Sequence, residues 1–453
     1  MTGTLITPGT VTHGPAHRDP NVLRWLAAYT SSMVGDSVYY IALSWAAVQQ
    51  GSPAQAGAVM AVSAVPRALL MLGGGVVADR FGPRRVVIGS DAVRCAAVLA
   101  VAALLFLTCP GLWPLALLAV VFGTVDAVFM PAVGALPARV TSRDQLARVQ
   151  GMRGIGIRFA SIVGAPLGGL GVAIGGAATA FAFAGLLIAV SVPLLISVRI
   201  RELPADDETC TRGGTADAGD GAGGRGTAPG AGVVGAVDPE AGEHPAHARA
   251  TSPLDDLRAG LRYIRGHRVL APLMLAIALG DLGFVGPLNV GLTLLADERG
   301  WGASGMGWVL SGFGTGAGAA ALLLAVRGRL PHAGHVVGWA CLAGSVAIGA
   351  LAFVPSVLGA VGVALLIGLL AGLSGAMCGA LLQTQADPAY LGRVTAVSSL
   401  VSLGFAPLSM PLSAAAIGAW GTGPVFVVSA VVCGLGGAIA LCVRELRRAE
   451  LPG

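Results

Sequence analysis

The sequence predicts an all-α polytopic membrane protein with twelve transmembrane helices in two six-helix, pseudo-symmetric halves. Three observations carry that prediction. The 453-residue chain is 55% hydrophobic and only 11% charged, with a mean hydropathy of +0.78. Apolar stretches of the roughly 20 residues that a helix needs to cross a bilayer recur twelve times along it. A fixed offset of 245 residues relates positions in the first half to positions in the second.

Residues 1–21 show no cleavable leader pattern and read as a cytoplasmic tail, so the first span itself directs insertion. Six apolar spans near 22–48, 55–78, 86–108, 112–136, 151–175 and 177–198 make an N-terminal bundle over 22–198. Glycine, at 69 residues, and alanine are abundant inside the spans. Both suit helices that associate by close backbone approach, because lipid supplies no hydrophobic drive between them. Segment 199–253 breaks the pattern with "TRGGTADAGDGAGGRGTAPGAG" and is expected to be a disordered cytoplasmic linker. "LDDLRAGLRYIRGHR", 254–268, has Leu257, Leu261 and Ile264 at helical spacing with arginines opposite, and is expected to lie on the inner membrane surface. Spans near 269–295, 304–326, 335–354, 357–380, 392–418 and 422–443 form the C-terminal bundle, 269–443, before a cytoplasmic tail at 444–453.

Arginine sets the topology. Arg80, Arg84 and Arg85 lie between spans 2 and 3, Arg139, Arg143 and Arg148 between 4 and 5, Arg327 and Arg329 between 8 and 9, and Arg393 between 10 and 11. Arg444, Arg447 and Arg448 follow span 12, whereas "QQGSPAQ", "TCPGLWP", "GG", "PS" and "GTG" are uncharged; only Asp297, Glu298 and Arg299 break the alternation. The positive-inside rule then places both termini in the cytoplasm of a multi-pass cell-membrane protein. The sequence pI near 9.0 therefore reports topology and not nucleic-acid binding, since no basic patch with interleaved aromatics exists. Seven cysteines stand singly without a CxxC pair or a histidine cluster, which implies neither a metal site nor a disulfide frame. "GFGTGAG", 312–318, lies inside an apolar span with no preceding strand and no following lysine, so it is helix packing, and no nucleotide cofactor is implied.

"LARV" at 146–149 corresponds to "LGRV" at 391–394, Pro166 to Pro411, and Gly35-Asp36 to Gly280-Asp281, each 245 residues apart. Parallel six-plus-six repeats belong to transporters that rock two halves around a site near the bilayer midplane.

"GGGVVADRFGPRR", 73–85, resembles the signature loop between helices 2 and 3 of the major facilitator superfamily, with Gly75, Asp79, Arg80, Gly82, Arg84 and Arg85 on the motif positions. The resemblance extends over all twelve spans and is nearest to the twelve-helix drug and macrolide efflux branch. It implies a conformational latch in which Asp79 meets the start of helix 11 as an anion at the positive end of a helix dipole, favouring the outward-open state. Gly75 would then permit close approach of helices 2 and 11, and Gly82 the tight turn. The second half carries "VRGRLPHAG" there and lacks the aspartate, so any latch is one-sided. "SDAVRC", 90–95, and "PAVGALPARVTSRDQLARVQG", 131–151, resemble the macrolide-efflux branch. "GAPLGG", with Gly164, Pro166, Gly168 and Gly169, resembles the helix 5 motif of exporters, with Ala165 in place of a glycine. The helix 4 arginine of many proton-driven drug antiporters is missing; "VVFGTVDAVFMP" carries Asp126 instead.

A charge at the bilayer centre costs at least about 2.5 kcal/mol on insertion scales, so each needs a partner or a purpose. Among the charges within spans, Asp36, Arg67, Asp91, Arg94, Asp126, Arg153, Arg158 and Asp281 are the candidates, with Asn289 as a polar neighbour on span 7. Asp91 and Arg94, three apart, are expected to pair on one helix face, and Arg153 to snorkel. Arg67 is expected at mid-membrane, either neutralising Asp36 or binding substrate, and Arg158 is open to the same alternatives. Asp36 and Asp281, in equivalent positions, should be paired or protonated, and are candidates with Asp126 for proton coupling.

The expected function is a monomeric secondary transporter exporting an amphiphilic small molecule by proton antiport. Its partners are that small-molecule substrate, protons and the lipid bilayer. Uptake of an organic solute and a non-transporting receptor or scaffold on the same fold are the alternatives. An enzyme is not expected, because no nucleophile–base pair is present.

Overall fold

A computed structural model describes residues 18–108, 111–141, 145–198, 253–327, 332–387 and 390–449; the expected linker, 199–253, lies outside these but for its last residue. Every regular element among them is helical. The first half holds α1 (Pro20–Gln50), α2 (Pro53–Val62), α3 (Ala64–Phe81), α4 (Pro83–Leu107), α5 (Trp113–Val140) and α6 (Leu146–Ser197). The second holds α7 (Pro253–Gly266), α8 (Leu270–Gly286), α9 (Leu292–Glu298), α10 (Gly302–Arg327), α11 (Ala333–Leu351), α12 (Val357–Gln385), α13 (Leu391–Trp420), α14 (Thr422–Cys442) and α15 (Arg444–Arg447).

Local chemistry sets the boundaries. The Asp19 side chain accepts from Asn21 N at 2.8 Å, with Pro20 at the first helical position of α1. Ser52 and Gln55 form a reciprocal capping box at α2. Gly176, at φ 75°, breaks α6 into two arms, because only glycine adopts the left-handed region there without strain. A single π turn, Pro287–Gly291, joins α8 to α9 in one crossing, and Ser63 separates α2 from α3 in another. Counting those joined pairs as one each and the arms of α6 as two gives twelve crossings.

Among the described residues, eight continuous helical stretches are long and apolar enough to cross a membrane on length and composition alone, and one of them, 148–197, is the doubled α6. The three remaining crossings are α1, α2 with α3, and α13. These helices face the partner half, α1 meeting α9 and α10 and α2 and α3 meeting α13, and α6 meets α10 across the same boundary.

Within the first half, α1 and α4 pack on α6, and α3 packs on α5; within the second, α8 and α11 pack on α14, and α10 on α12. We call the end of the bundle bearing segment 199–252 the linker end and the opposite end the far end. Close packing between the halves runs from the far end to the middle. A methyl group added at Gly57 would collide with the Ala414 side chain and stand 3.2 Å from the Met410 carbonyl oxygen. One added at Gly307 would meet the Ala165 carbonyl at 2.5 Å and Pro166 Cα at 3.2 Å. The repeat-related prolines Pro166 and Pro411 thus each receive a glycine of the opposite half. Gln49 Nε2 donates to Asp297 Oδ1 at 2.7 Å across the same end.

The amphipathic α7 docks on α13. Ile264 is buried, Gly260 approaches Arg393 and Val397, and the Tyr263 ring stacks on Tyr390 with centroids 4.4 Å apart. Its hydroxyl accepts from Asp387 N at 3.1 Å. The apolar face has a protein groove to fill, although Leu261 stays 48% exposed.

Candidate functional site

The charges of the first half converge on Arg94, whose side chain is fully buried. It projects from α4 between α1, α5 and α6. Arg94 Nη1 donates to Asp36 Oδ2 at 2.7 Å and to Asp126 Oδ1 at 3.4 Å. Its Nη2 donates to Ser32 Oγ at 3.1 Å and to Asp91 Oδ1. Ser32 and Ser191 both donate to Asp91, so that carboxylate is held from three helices. The Phe129 ring covers the guanidinium with 4.0 Å from Cζ to the centroid, a cation–π contact inside a low-dielectric bundle. Arg67 Nη1 stands 3.9 Å from Asp126 Oδ2.

This corrects one expectation: Arg67 does not neutralise Asp36. Helix α3 packs on α5, so Arg67 meets Asp126, while Asp36 faces α4 and receives Arg94. Three carboxylates (Asp36, Asp91, Asp126) oppose two guanidiniums (Arg94, Arg67), which leaves one negative charge when all are ionised. Asp36 Oδ1 is buried without a hydrogen-bond partner. Asp36, Arg67 and Asp126 line a cavity of about 180 Å³ with Tyr40, Ser37 and Phe129. Asp36 therefore combines a lining position in this cavity with a buried carboxylate oxygen that no protein group satisfies.

In the second half, Asp281 accepts from Ser402 Oγ at 2.6 Å and lines a larger cavity, of about 370 Å³. Asn289 sits in the π turn, exposed, with Nδ2 donating to Val285 O at 2.8 Å. Arg158 is exposed on α6, apart from both cavities. Arg153 lies over the Tyr29 ring at 5.2 Å.

In the helix 2 to 3 loop, the side chains at 71–76 and 79 lie outside the described set, so the expected contacts of Gly75 and Asp79 do too. Gly82 adopts φ 83°, a turn closed to most side chains. Arg84 donates to the carbonyls of Leu195 and Ile196, placing a cation at the C-terminal end of α6. Arg80 and Arg85 are exposed. In the helix 5 motif, Gly164 and Gly168 admit Ser37 and Ile41 of α1, and Gly169 admits Ala303 and Ser304 of α10. Pro166 lies between them, against Gly307.

Sequence reasoning found Asp91 with Arg94 as a local pair and missed Asp36 and Asp126 as further partners. It also passed over Ser32, Ser191 and Ser402, because single serines in apolar helices give no pattern of their own.

No curated protein matches the chain in sequence. Among solved structures, the chain is similar to the nucleoside transporter NupG, with a TM-score of 0.64 at 13% identity over 95% of this chain and 100% of that one. It is also similar to a bacterial homolog of the human lysosomal transporter Spinster. In the inward-facing, unoccupied conformation that protein gives a TM-score of 0.62 at 13% identity, covering 96% of this chain and 98% of that one. Its inward-facing, occupied form gives 0.65 with the same identity and coverage. These identities speak for the fold alone. The family model described as Major Facilitator Superfamily matches residues 25–402, most of the chain. A twelve-crossing bundle in two related halves, matched over that span, belongs to the major facilitator superfamily, and the protein is one of its multi-pass membrane transporters.

Proposed function

We propose that the protein is a proton-driven exporter of an amphiphilic organic compound, working by alternating access across the cell membrane. The observation that carries this is the Arg94 cluster, with one carboxylate in excess and an unpartnered Asp36 oxygen beside a cavity. An uncompensated negative charge in a bilayer-embedded bundle is costly, so the cluster has a standing affinity for one proton. Asp91 is saturated by Arg94, Ser32 and Ser191 and serves as scaffold. The mobile proton therefore belongs to Asp36 or Asp126, the two carboxylates that line the cavity. Protonating Asp36 weakens its bond to Arg94 and loosens α1 from α4, which couples charge to the position of a helix between the halves.

Arginine-rich loops put the linker end in the cytoplasm. Packing from the far end to the middle then corresponds to an inward-open state. Both termini are cytoplasmic in this reading, and the protein works as a monomer. Asp79, with Gly75 and Arg80, latches the opposite, outward-open state.

Inside-out vesicles with an imposed inside-acid gradient, using ethidium and Hoechst 33342 as amphiphilic reporters, test the reading. The parent is expected to accumulate a reporter and to lose that accumulation when the gradient is collapsed. Asp36→Asn or Asp126→Asn should abolish gradient-driven accumulation while leaving gradient-free exchange. Accumulation that ignores the gradient, or survives both substitutions together, rejects proton coupling at this cluster. Gradient-driven entry of uridine into right-side-out vesicles, without reporter export, would instead favour uptake of an organic solute.

A further inference from the structure

The two halves treat their equivalent carboxylates differently. In the first, Asp36 of α1 receives Arg94 from α4, the third crossing. In the second, Asp281 of α8 stands at the equivalent place, yet among the described residues it forms no ion pair, and its hydrogen bond comes from Ser402. The third crossing there, α11, contributes Ala340, Cys341 and Gly344 to the site instead of an arginine. Beside Asp281 lies a cavity of about 370 Å³, within the roughly 300–1,000 Å³ typical of small-molecule sites.

We propose that this cavity receives the cationic end of the transported compound, a protonated amine or amidinium on an apolar body, in the second half's counterpart of the space that Arg94 fills in the first. This rests on the transporter reading above and adds the substrate class. The chemistry of the walls argues for it. One carboxylate without a protein cation attracts a positive group, and a partnered charge is tolerated in a low-dielectric bundle where a bare one is not. Phe284 offers a ring to the same cation, and Ile348, Ile367 and Leu370 accept an apolar body. Neutral analogues leave Asp281 unpaired, and anions are repelled by it. A site built around one polar group discriminates strongly against ligands that lack its complement.

Cys341 lines the cavity and gives a direct probe of it. In a variant keeping Cys341 as its sole cysteine, the rates of modification by 2-aminoethyl methanethiosulfonate and by uncharged methyl methanethiosulfonate are measured, each normalised to its rate with a free thiol. A second variant keeping only Cys433, another lining residue, guards against a local folding defect. Their ratio cancels any change in the thiol's own reactivity. The cationic reagent should be favoured ten-fold or more; Asp281→Asn should bring the ratio close to one, and Asp281→Glu should keep most of it. A ratio near one in the parent, a ratio unmoved by Asp281→Asn, or no reaction at either cysteine overturns the proposal. Transport is not read in this experiment. A cation-selective cavity in a protein that ignores proton gradients keeps this inference and rejects the proposed function, and the reverse result does the opposite.

Discussion

Arg94 is the residue on which the first half depends. Its side chain is completely buried and bonded to Asp36, Asp91, Asp126 and Ser32, so truncating it removes the ion-pair partner of Asp36 and Asp91 and leaves Asp126 with Arg67 alone, in a bundle with little water. Removing one partner of a buried ion pair costs about 3–5 kcal/mol, and Arg94→Ala is expected to reach at least that range in thermal or denaturant unfolding in detergent. Arg94→Lys should recover part of the loss, since a lysine carries the charge but cannot reach several partners with a planar fork. A variant as stable as the parent would show that the carboxylates are neutral in the folded protein. The pair with Asp91 could be read from sequence because an i, i+3 spacing on a helix is local information. The bonds to Asp36 and Asp126 could not, since they join residues 58 and 32 positions apart and depend on which helices pack together. The alternative that put Arg67 beside Asp36, which the structure does not bear out, had the same source: depth along a helix is legible, but the direction a side chain faces is not.

At the scale of the element, the breaks and close approaches of helices carry the consequences. Span positions could be read because apolar length is a strong signal, and the "GG" at 175–176 marked the turn inside α6. The break at Ser63, three residues before Pro66, and the π turn, which opens on Pro287, did carry a proline signal, but it does not say whether the helix kinks, breaks or takes a π turn. That π turn carries Asn289, consistent with the tendency of such turns to occur at functional positions. Glycine at a helix crossing has a sharper role. Gly57 of α2 and Gly307 of α10 each sit against a proline of the opposite half, Pro411 and Pro166, where an added side chain would strike backbone or a packed methyl group. Gly57→Val and Gly307→Val should therefore open the far end without unfolding either half. Spin labels on the far ends of α2 and α13 should show a longer distance in Gly57→Val, while the melting temperature changes little. An unchanged distance distribution would mean that the halves do not depend on this contact. Lipid offers no hydrophobic drive, so lost van der Waals contact at such a crossing is not replaced.

For the whole molecule, the informative residues are the three that disturbed the charge alternation. Asp297 accepts from Gln49 of the opposite half, Glu298 accepts from Thr422 Oγ1 at 2.5 Å, and Arg299 donates to the carbonyls of Val354 at 2.8 Å and Ala352 at 2.5 Å. Charges that looked like exceptions to a topology rule thus gather the far-end loops and join the halves across them. Alternating access requires the Gln49–Asp297 contact to break and reform in every cycle, so preventing its separation should stop transport. In a protein whose other cysteines are replaced, Gln49→Cys with Asp297→Cys can be joined by a short, membrane-impermeant bis-methanethiosulfonate reagent. The linker is needed because two extended side chains span more than a disulfide reaches. Joined protein should lose net reporter export by ten-fold or more, while binding from the linker end persists, and a reductant should restore export. Reaction in intact cells also orients the molecule, since an impermeant reagent reaches the far end only if it faces outside. Cross-linked protein that still transports at the parent rate would show that the far end does not open, and alternating access about this contact would have to be abandoned.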